Sequence, residues 1–216
     1  TQPMGANFGD LDNDGFLDFY LGTGYPEYEG LMPNIMYRNA AGQRFVDVTS
    51  AGGFGHLQKG HGIAFADFDN DGDQDVLIEL GGAYRGDGFG NALFENPGFG
   101  RHWIRINLVG KESNRCGIGA RIQLELDDGV ATRSVYRWVN SGGSFGANPL
   151  TQQIGLGEAA SIAKLHVFWP KTGKTQTFEN VDADQFIEVH ESSAELVLRN
   201  ISPFSLQTSA GEQAAK

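Results

Sequence analysis

The chain has 216 residues, 40% of them hydrophobic and 11% aromatic, which allows one large or two small domains and excludes a mostly disordered polymer. No run of 18 or more apolar residues occurs, which argues against a membrane-spanning helix. Residues 1–100 carry 15 acidic and 4 basic side chains, whereas residues 101–216 carry 12 of each. This charge distribution disfavours nucleic acid and anionic membranes as partners and favours cations.

The first hundred residues contain a gapless repeat with a period of 57 residues, counted from Asp10 to Asp67. Residues 8–18 (FGDLDNDGFLD) return at 65–75 (FADFDNDGDQD). Residues 34–39 (NIMYRN) return in the same phase as NALFEN, which ends at Asn96. Two motifs in one phase indicate that each copy is a single supersecondary unit.

Short runs of β-branched, aliphatic or aromatic residues in these copies predict strands at 19–21, 35–37, 44–48, 62–65 and 76–80. Three or four short strands per copy are typical of a β-propeller blade. Two blades cannot close a propeller, which takes about four or more. Either further blades lie upstream in a longer chain, or this pair packs against the second half.

Each copy also contains the acidic pattern D-x-D-x-D-G-x-x-D. Ca²⁺ takes about six to eight hard oxygen ligands, and carboxylates at alternate positions of a tight loop point inward. Gly15 and Gly72 allow the backbone to curl around an ion. The sequence therefore predicts two Ca²⁺ sites. The expected ligands are the side chains of Asp10, Asp12, Asp14 and Asp18 with the Phe16 carbonyl, and those of Asp67, Asp69, Asp71 and Asp75 with the Asp73 carbonyl.

These loops differ from an EF-hand, which needs a glutamate at its twelfth position and flanking helices. Here Leu21 and Ile78 occupy that position, and both lie inside strand-like runs. A dockerin loop also leads into a helix, so these strand-like runs argue against a dockerin as well. Over about residues 5–97 the chain instead resembles the FG-GAP or VCBS-type repeats of β-propellers. This resemblance implies that calcium braces each blade while ligands bind on other surfaces.

The second half alternates apolar and polar residues, which predicts strands at 104–108, 122–126, 131–139, 150–154, 164–169, 175–178 and 185–190. Asp127-Asp128-Gly129 is typical of a hairpin turn. This strand density indicates a β-sandwich. Residues 194–201 could add another strand, and a polar tail follows Pro203.

Four segments of the second half resemble the ASPIC/UnbV domain: 113–121 (SNRCGIGAR), 154–157 (IGLG), 167–174 (VFWPKTGK) and Asn180-Val181. The resemblance covers about residues 101–190. In that family the domain commonly follows FG-GAP or VCBS repeats in secreted proteins. The resemblance therefore implies the fold of this region and the type of domain that precedes it, but it implies no reaction.

The expected fold is therefore all-β, with two propeller-blade-like calcium-loop repeats followed by a β-sandwich. The expected organisation is two repeats in residues 1–100 (about 5–61 and 62–100), an ASPIC/UnbV-like sandwich at 101–191, and an extra strand with a tail at 192–216. The expected localisation is extracellular or periplasmic.

The expected function is that of a non-catalytic module, in which Ca²⁺ braces a β platform for adhesion to a glycan or protein on a cell surface or matrix. The alternative is an accessory subunit or enzyme of carbohydrate processing or natural-product biosynthesis. Four carboxylates on one ion leave little room for a reacting water, which favours the non-catalytic interpretation. The G-x-S-x-G pattern around Ser144 lacks the helix that a hydrolase nucleophile needs, so a glycine-rich hairpin is expected. Tyr25, Tyr28 and Tyr37 are candidates either for the partner surface or for blade packing.

Overall fold

The structure is a computed structural model that describes residues 2–127, 132–140 and 142–206. Within these residues all regular elements are β-strands, arranged in four sheets, none of which closes into a barrel. The all-β fold class is confirmed, and the sheets are compatible with two blade-like units and a sandwich. The proposed turn residues Asp128 and Gly129 and most of the polar tail lie outside the described residues.

Two antiparallel sheets contain the repeats. The first, blade 1, is a meander of β1 (Pro3–Gly9), β2 (Asp18–Thr23), β3 (Ile35–Ala40) and β4 (Arg44–Asp47). The second, blade 2, consists of β5 (Gly60–Ala66), β6 (Asp75–Leu80) and β7 (Ala92–Phe94). The strand register repeats together with the sequence, because Phe8 pairs with Phe19 in blade 1 and Phe65 pairs with Val76 in blade 2.

Two further sheets form the sandwich. Its strands are β8 (His102–Val109), β9 (Arg121–Asp127), β10 (Thr132–Trp138), β11 (Gln152–Gly157), β12 (Ser161–Trp169), β13 (Lys174–Asp182), β14 (Gln185–His190) and β15 (Leu196–Arg199). The sheet orders are β10-β9-β12-β13 and β11-β8-β14-β15, with β8 and β14 parallel. Alternate apolar residues of both sheets fill one core, which includes Ile104, Leu124 and Trp169.

Glu191 fixes the turn that follows β8. One of its carboxylate oxygens accepts the backbone N–H groups of Lys111, Glu112 and Ser113, each at 2.7 Å. The other oxygen accepts the Ser113 hydroxyl at 2.8 Å. The carboxylate therefore satisfies three consecutive backbone amides of this turn.

A segment of the second half forms hydrogen bonds with the first strands of both blades. Ala6 and Ser144 exchange backbone hydrogen bonds at 3.1 Å, and the Ile63 N–H donates to the Phe145 carbonyl at 3.0 Å. The Asn148 side chain accepts the N–H of Phe65. Ser144 thus lies in an extended bridge to β1 and not at a strand-to-helix turn.

In the part of the chain that the structure describes, no helix has the length and apolar character needed to cross a membrane.

Candidate metal centres

The two acidic loops connect β1 to β2 and β5 to β6, and their backbones follow the same path. Asn13 and Asn70, 57 positions apart, have left-handed φ angles of 51° and 62°. Gly15 and Gly72 have φ angles of 91° and 99°, a region that side chains with a Cβ rarely adopt. The repeated asparagine and glycine therefore set the curvature of both loops.

In each loop the curvature brings three carboxylates together. One oxygen from each of Asp10, Asp12 and Asp18 lies within 4.8 Å of the others, and all three residues are buried. The second loop brings together Asp67, Asp69 and Asp71, and this group is more open to solvent. The third member differs between the loops, because Asp71 is the repeat equivalent of Asp14 and not of Asp18. Each cluster could hold a metal ion.

The first loop leaves two buried carboxylate oxygens without partners. Asp10 Oδ2 accepts the N–H groups of Gly15 at 2.9 Å and of Gly155 at 3.1 Å. Asp12 Oδ2 lies 3.0 Å from the guanidinium of Arg101. The Oδ1 atoms of Asp10 and Asp12, in contrast, have no hydrogen-bond partner among the described residues. Buried carboxylate oxygens are almost always paired, so these two atoms fit the ligands of a cation.

The last aspartate of each pattern is held by the second repeated motif. Asp18 accepts the backbone N–H groups of Leu11 at 2.7 Å and of Asn39 at 2.6 Å, one on each oxygen. Asp75 accepts the backbone N–H groups of Phe68 at 2.9 Å and of Asn96 at 2.8 Å, again one on each oxygen. The second asparagine of NIMYRN and of NALFEN thus anchors the end of its loop, which explains why the two motifs repeat in one phase.

The remaining expected ligands lie at the edges of these clusters. Asp14 is outside the tight group of the first loop, and its Oδ1 accepts the N–H of Phe16 at 2.8 Å. The Asp73 side chain accepts the Asn13 amide of the other loop at 2.7 Å. The two loops are therefore in direct contact. The carbonyls of Phe16 and Asp73 stay predictions as backbone ligands.

Burial raises the pKa values of several loop carboxyls. Burial raises the pKa of Asp10 to about 6, although Arg137 opposes the rise. Burial likewise raises the pKa of Asp18 to about 7 and that of Asp75 to about 6. Carboxyls with raised pKa values are ionised at a free-energy penalty, which a bound cation would remove.

Arginines of the second half bind both loops, and sequence reasoning did not find them. The Arg137 guanidinium lies 3.1 Å from Asp10 Oδ2 and is itself buried. Arg105 forms the corresponding ion pair with Asp67, and each pair involves the first aspartate of its loop. For Arg137 periodicity is a sequence signal, because this residue shares the inward phase of β10 with the buried Val135. Arg105 has no such signal, since it lies in the opposite phase of β8 from the buried Ile104 and Ile106.

The comparisons with known proteins agree with this architecture. A family model described as FG-GAP-like repeat matches residues 10–78, and a model described as ASPIC and UnbV matches residues 110–196. The predicted order of the two families is confirmed. No curated protein matches the chain. The ASPIC/UnbV match contains Arg137 and the FG-GAP-like match contains Asp10, so the ion pair joins the two matched regions.

Proposed function

We propose that this chain is a non-catalytic calcium-binding module, in which one Ca²⁺ in each FG-GAP-like loop braces the blades and their contact with the ASPIC/UnbV region. The observation that carries the proposal is the pair of buried, unpartnered oxygens, Asp10 Oδ1 and Asp12 Oδ1. All candidate ligands are oxygens, a donor set that suits Ca²⁺ rather than zinc or copper. Bound Ca²⁺ would supply the positive charge that the clustered carboxylates need.

The burial of the first cluster supports a bracing role. Asp10 and Asp18 are 0% exposed and Asp12 is 3% exposed. A catalytic metal keeps an open position for water or substrate, and this cluster offers little access to one. FG-GAP repeats are typical of extracellular proteins, where millimolar Ca²⁺ would fill sites with dissociation constants of about 10⁻⁴–10⁻³ M. We therefore place the module outside the cell or in the periplasm.

The partner we propose is a glycan or protein on a cell surface or matrix. Tyr25 and Tyr28 support this choice, because both side chains are exposed in the loop between β2 and β3. The Tyr28 ring lies 5.7 Å from that of Tyr84, which comes from the other blade, so both blades contribute to one aromatic patch. Tyr37 differs, since its ring stacks on Phe19 within blade 1 at 4.8 Å.

Calorimetric titration with CaCl₂ tests the metal proposal. We expect two sites for the chain and one site each for Asp12→Asn and Asp69→Asn, which alter one loop at a time. Asp182→Asn, an exposed carboxylate on β13, is the matched control and should retain both sites. Saturation at about 100 times the dissociation constant should stabilise the fold by about 2.7 kcal/mol per site. Absence of binding at about 10 mM Ca²⁺, well above the range for extracellular modules, would remove the proposal.

A further inference from the structure

The two acidic loops hold each other through two side chains that lie outside the carboxylate clusters. Asn13 of the first loop donates from Nδ2 to the Gly72 carbonyl at 3.1 Å and to Asp73 Oδ1 at 2.7 Å. Gln74 of the second loop in turn accepts the backbone N–H of Asp10 at 2.7 Å through its Oε1. Each loop therefore supplies one side chain that fixes the other loop.

The repeat shows that these two side chains are not copies of a shared loop pattern. Asn70 is the equivalent of Asn13 and has the same left-handed backbone, but its Oδ1 accepts from the Arg105 guanidinium at 3.0 Å. Leu17 occupies the position of Gln74 in the first copy, and its side chain has no hydrogen-bonding group. The contact between the loops therefore uses one residue in each copy whose repeat equivalent plays a different role.

Burial makes these hydrogen bonds effective links between the loops. Asn13 is 0% exposed and Gln74 is 7% exposed. A buried amide that loses its partner cannot exchange it for water, so both side chains favour the state in which the two loops are ordered together. The Asn96 amide acts in the same sense, since its Nδ2 donates to the carbonyls of Leu11 at 2.7 Å and of Gln74 at 3.1 Å.

We infer that the two calcium sites are positively coupled, and that Asn13 and Gln74 carry this coupling. The inference rests on the calcium binding proposed above. Without an ion, the clustered carboxylates of a loop repel one another and favour looser loop conformations. When one loop is ordered by its ion, the hydrogen bonds across the contact hold the other loop in the conformation that binds. The second ion therefore pays less for ordering its loop and binds more tightly.

Two further considerations fix the sign and symmetry of the effect. Repulsion between the two ions opposes the coupling, but each loop carries four aspartates in its repeated pattern that offset the charge of its own ion, and salt screens the remainder. A coupling free energy between two sites is reciprocal. Either loop, once filled, should therefore raise the affinity of the other by the same factor.

Calorimetric titration with CaCl₂ in about 0.15 M salt measures the coupling as a ratio of binding constants. The numerator is the product of the two stepwise binding constants of the wild-type chain. The denominator is the product of the single-site constants of Asp69→Asn, which retains the first site, and Asp12→Asn, which retains the second. Independent sites give a ratio of about 1, and we expect a ratio between about 5 and about 150.

Variants of the contact make the test specific. Asn13→Gly removes the amide but keeps a backbone conformation that glycine adopts readily. Gln74→Leu introduces the residue that the first copy has at this position. Each variant should lower the ratio toward 1 when it is combined with the same two Asp→Asn changes. Asn70→Gly is the matched control, because it breaks the bond to Arg105 and none between the loops, and it should keep the wild-type ratio.

The comparison of ratios removes one source of error. Each Asp→Asn change also deletes a charge near the remaining site, but this effect is common to all backgrounds and cancels. Melting curves verify that each variant folds, and Gln74→Leu keeps the test decisive if Asn13→Gly does not fold.

The outcomes separate this inference from the calcium proposal. Absence of binding removes both. Two sites with a wild-type ratio of about 1 or less overturn the coupling and leave the calcium proposal intact. A higher ratio that neither Asn13→Gly nor Gln74→Leu lowers contradicts the role of these two side chains. A fall in both variants, with no change in Asn70→Gly, supports the inference.

Discussion

Replacing Arg137 with methionine should destabilise the fold by an amount that depends on calcium. The Arg137 guanidinium is buried and donates to Asp10 Oδ2 at 3.1 Å and to the Gly15 carbonyl at 3.2 Å. Methionine fills much of the space but leaves the Asp10 carboxylate, which is fully buried, without its counter-charge. Breaking one side of a buried ion pair costs about 3–5 kcal/mol.

Calcium should reduce this loss. With Ca²⁺ bound at Asp10, the carboxylate keeps a compensating charge, and the variant loses only the hydrogen bonds of the guanidinium, about 1–2 kcal/mol. The expected difference between the two conditions is therefore about 2–3 kcal/mol. The comparison is best made at about pH 8, because a carboxyl with a raised pKa would otherwise escape part of the penalty by binding a proton.

Denaturation in urea, once with EDTA and once with CaCl₂, measures both free energies of unfolding. Arg121→Met is the matched control, because the Arg121 guanidinium packs on the rings of Trp138 and Phe168 and forms no ion pair within the described residues. Its effect should be small and the same in both buffers. An equal loss for Arg137→Met with and without calcium would show that Asp10 is not a ligand of the ion.

Three other changes probe the remaining contacts. A Cβ at Gly155 would overlap the backbone of Asn13, so Gly155→Ala should cost about 1–3 kcal/mol in urea denaturation, whereas Gly88→Ala, with open space around it, should be neutral. Burial disfavours the ionised form of Glu191, but hydrogen bonds outweigh this effect and lower its pKa to about 2. The stability from this carboxylate is fully present above about pH 4.5 and is lost as the pH falls toward 2. The free energy of unfolding of Glu191→Gln should therefore be about 1–3 kcal/mol lower than that of the wild type at pH 7, and the two should be equal at pH 2. The buried amide of Asn96 donates to one carbonyl in each acidic loop, so Asn96→Ala should lower the melting temperature and weaken calorimetric Ca²⁺ binding, and unchanged binding would separate this bridge from the metal sites.

The repeat period allowed much of the first half to be predicted. Strands expected at 19–21 and 76–80 lie within β2 and β6, and the shared phase of the two motifs reflects the hydrogen bonds from Asn39 to Asp18 and from Asn96 to Asp75. The same period could have revealed β1, because the strand expected at 62–65 has its equivalent at residues 5–8.

The contact between the halves could not be predicted in this way. Asp10 and Arg137 are 127 positions apart, and local periodicity carries no information about which distant strand meets a loop. Nor did the glycine-rich segment around Ser144 resemble a strand, since it turns at Phe145 and pairs with β1 through an isolated bridge to Ala6. These long-range partners emerge only when the sheets are placed against each other.

The bridge between Ala6 and Ser144 has a practical consequence for anyone who divides this protein for expression. A cut near residue 100 looks natural, since it falls between the two matched families. It would nevertheless remove the backbone hydrogen-bond partners of Ala6 and Ile63. Two strand edges would then be exposed, and exposed edges can pair with other molecules. The smallest unit that keeps those edges covered extends at least through Asn148, and hence includes part of the sandwich.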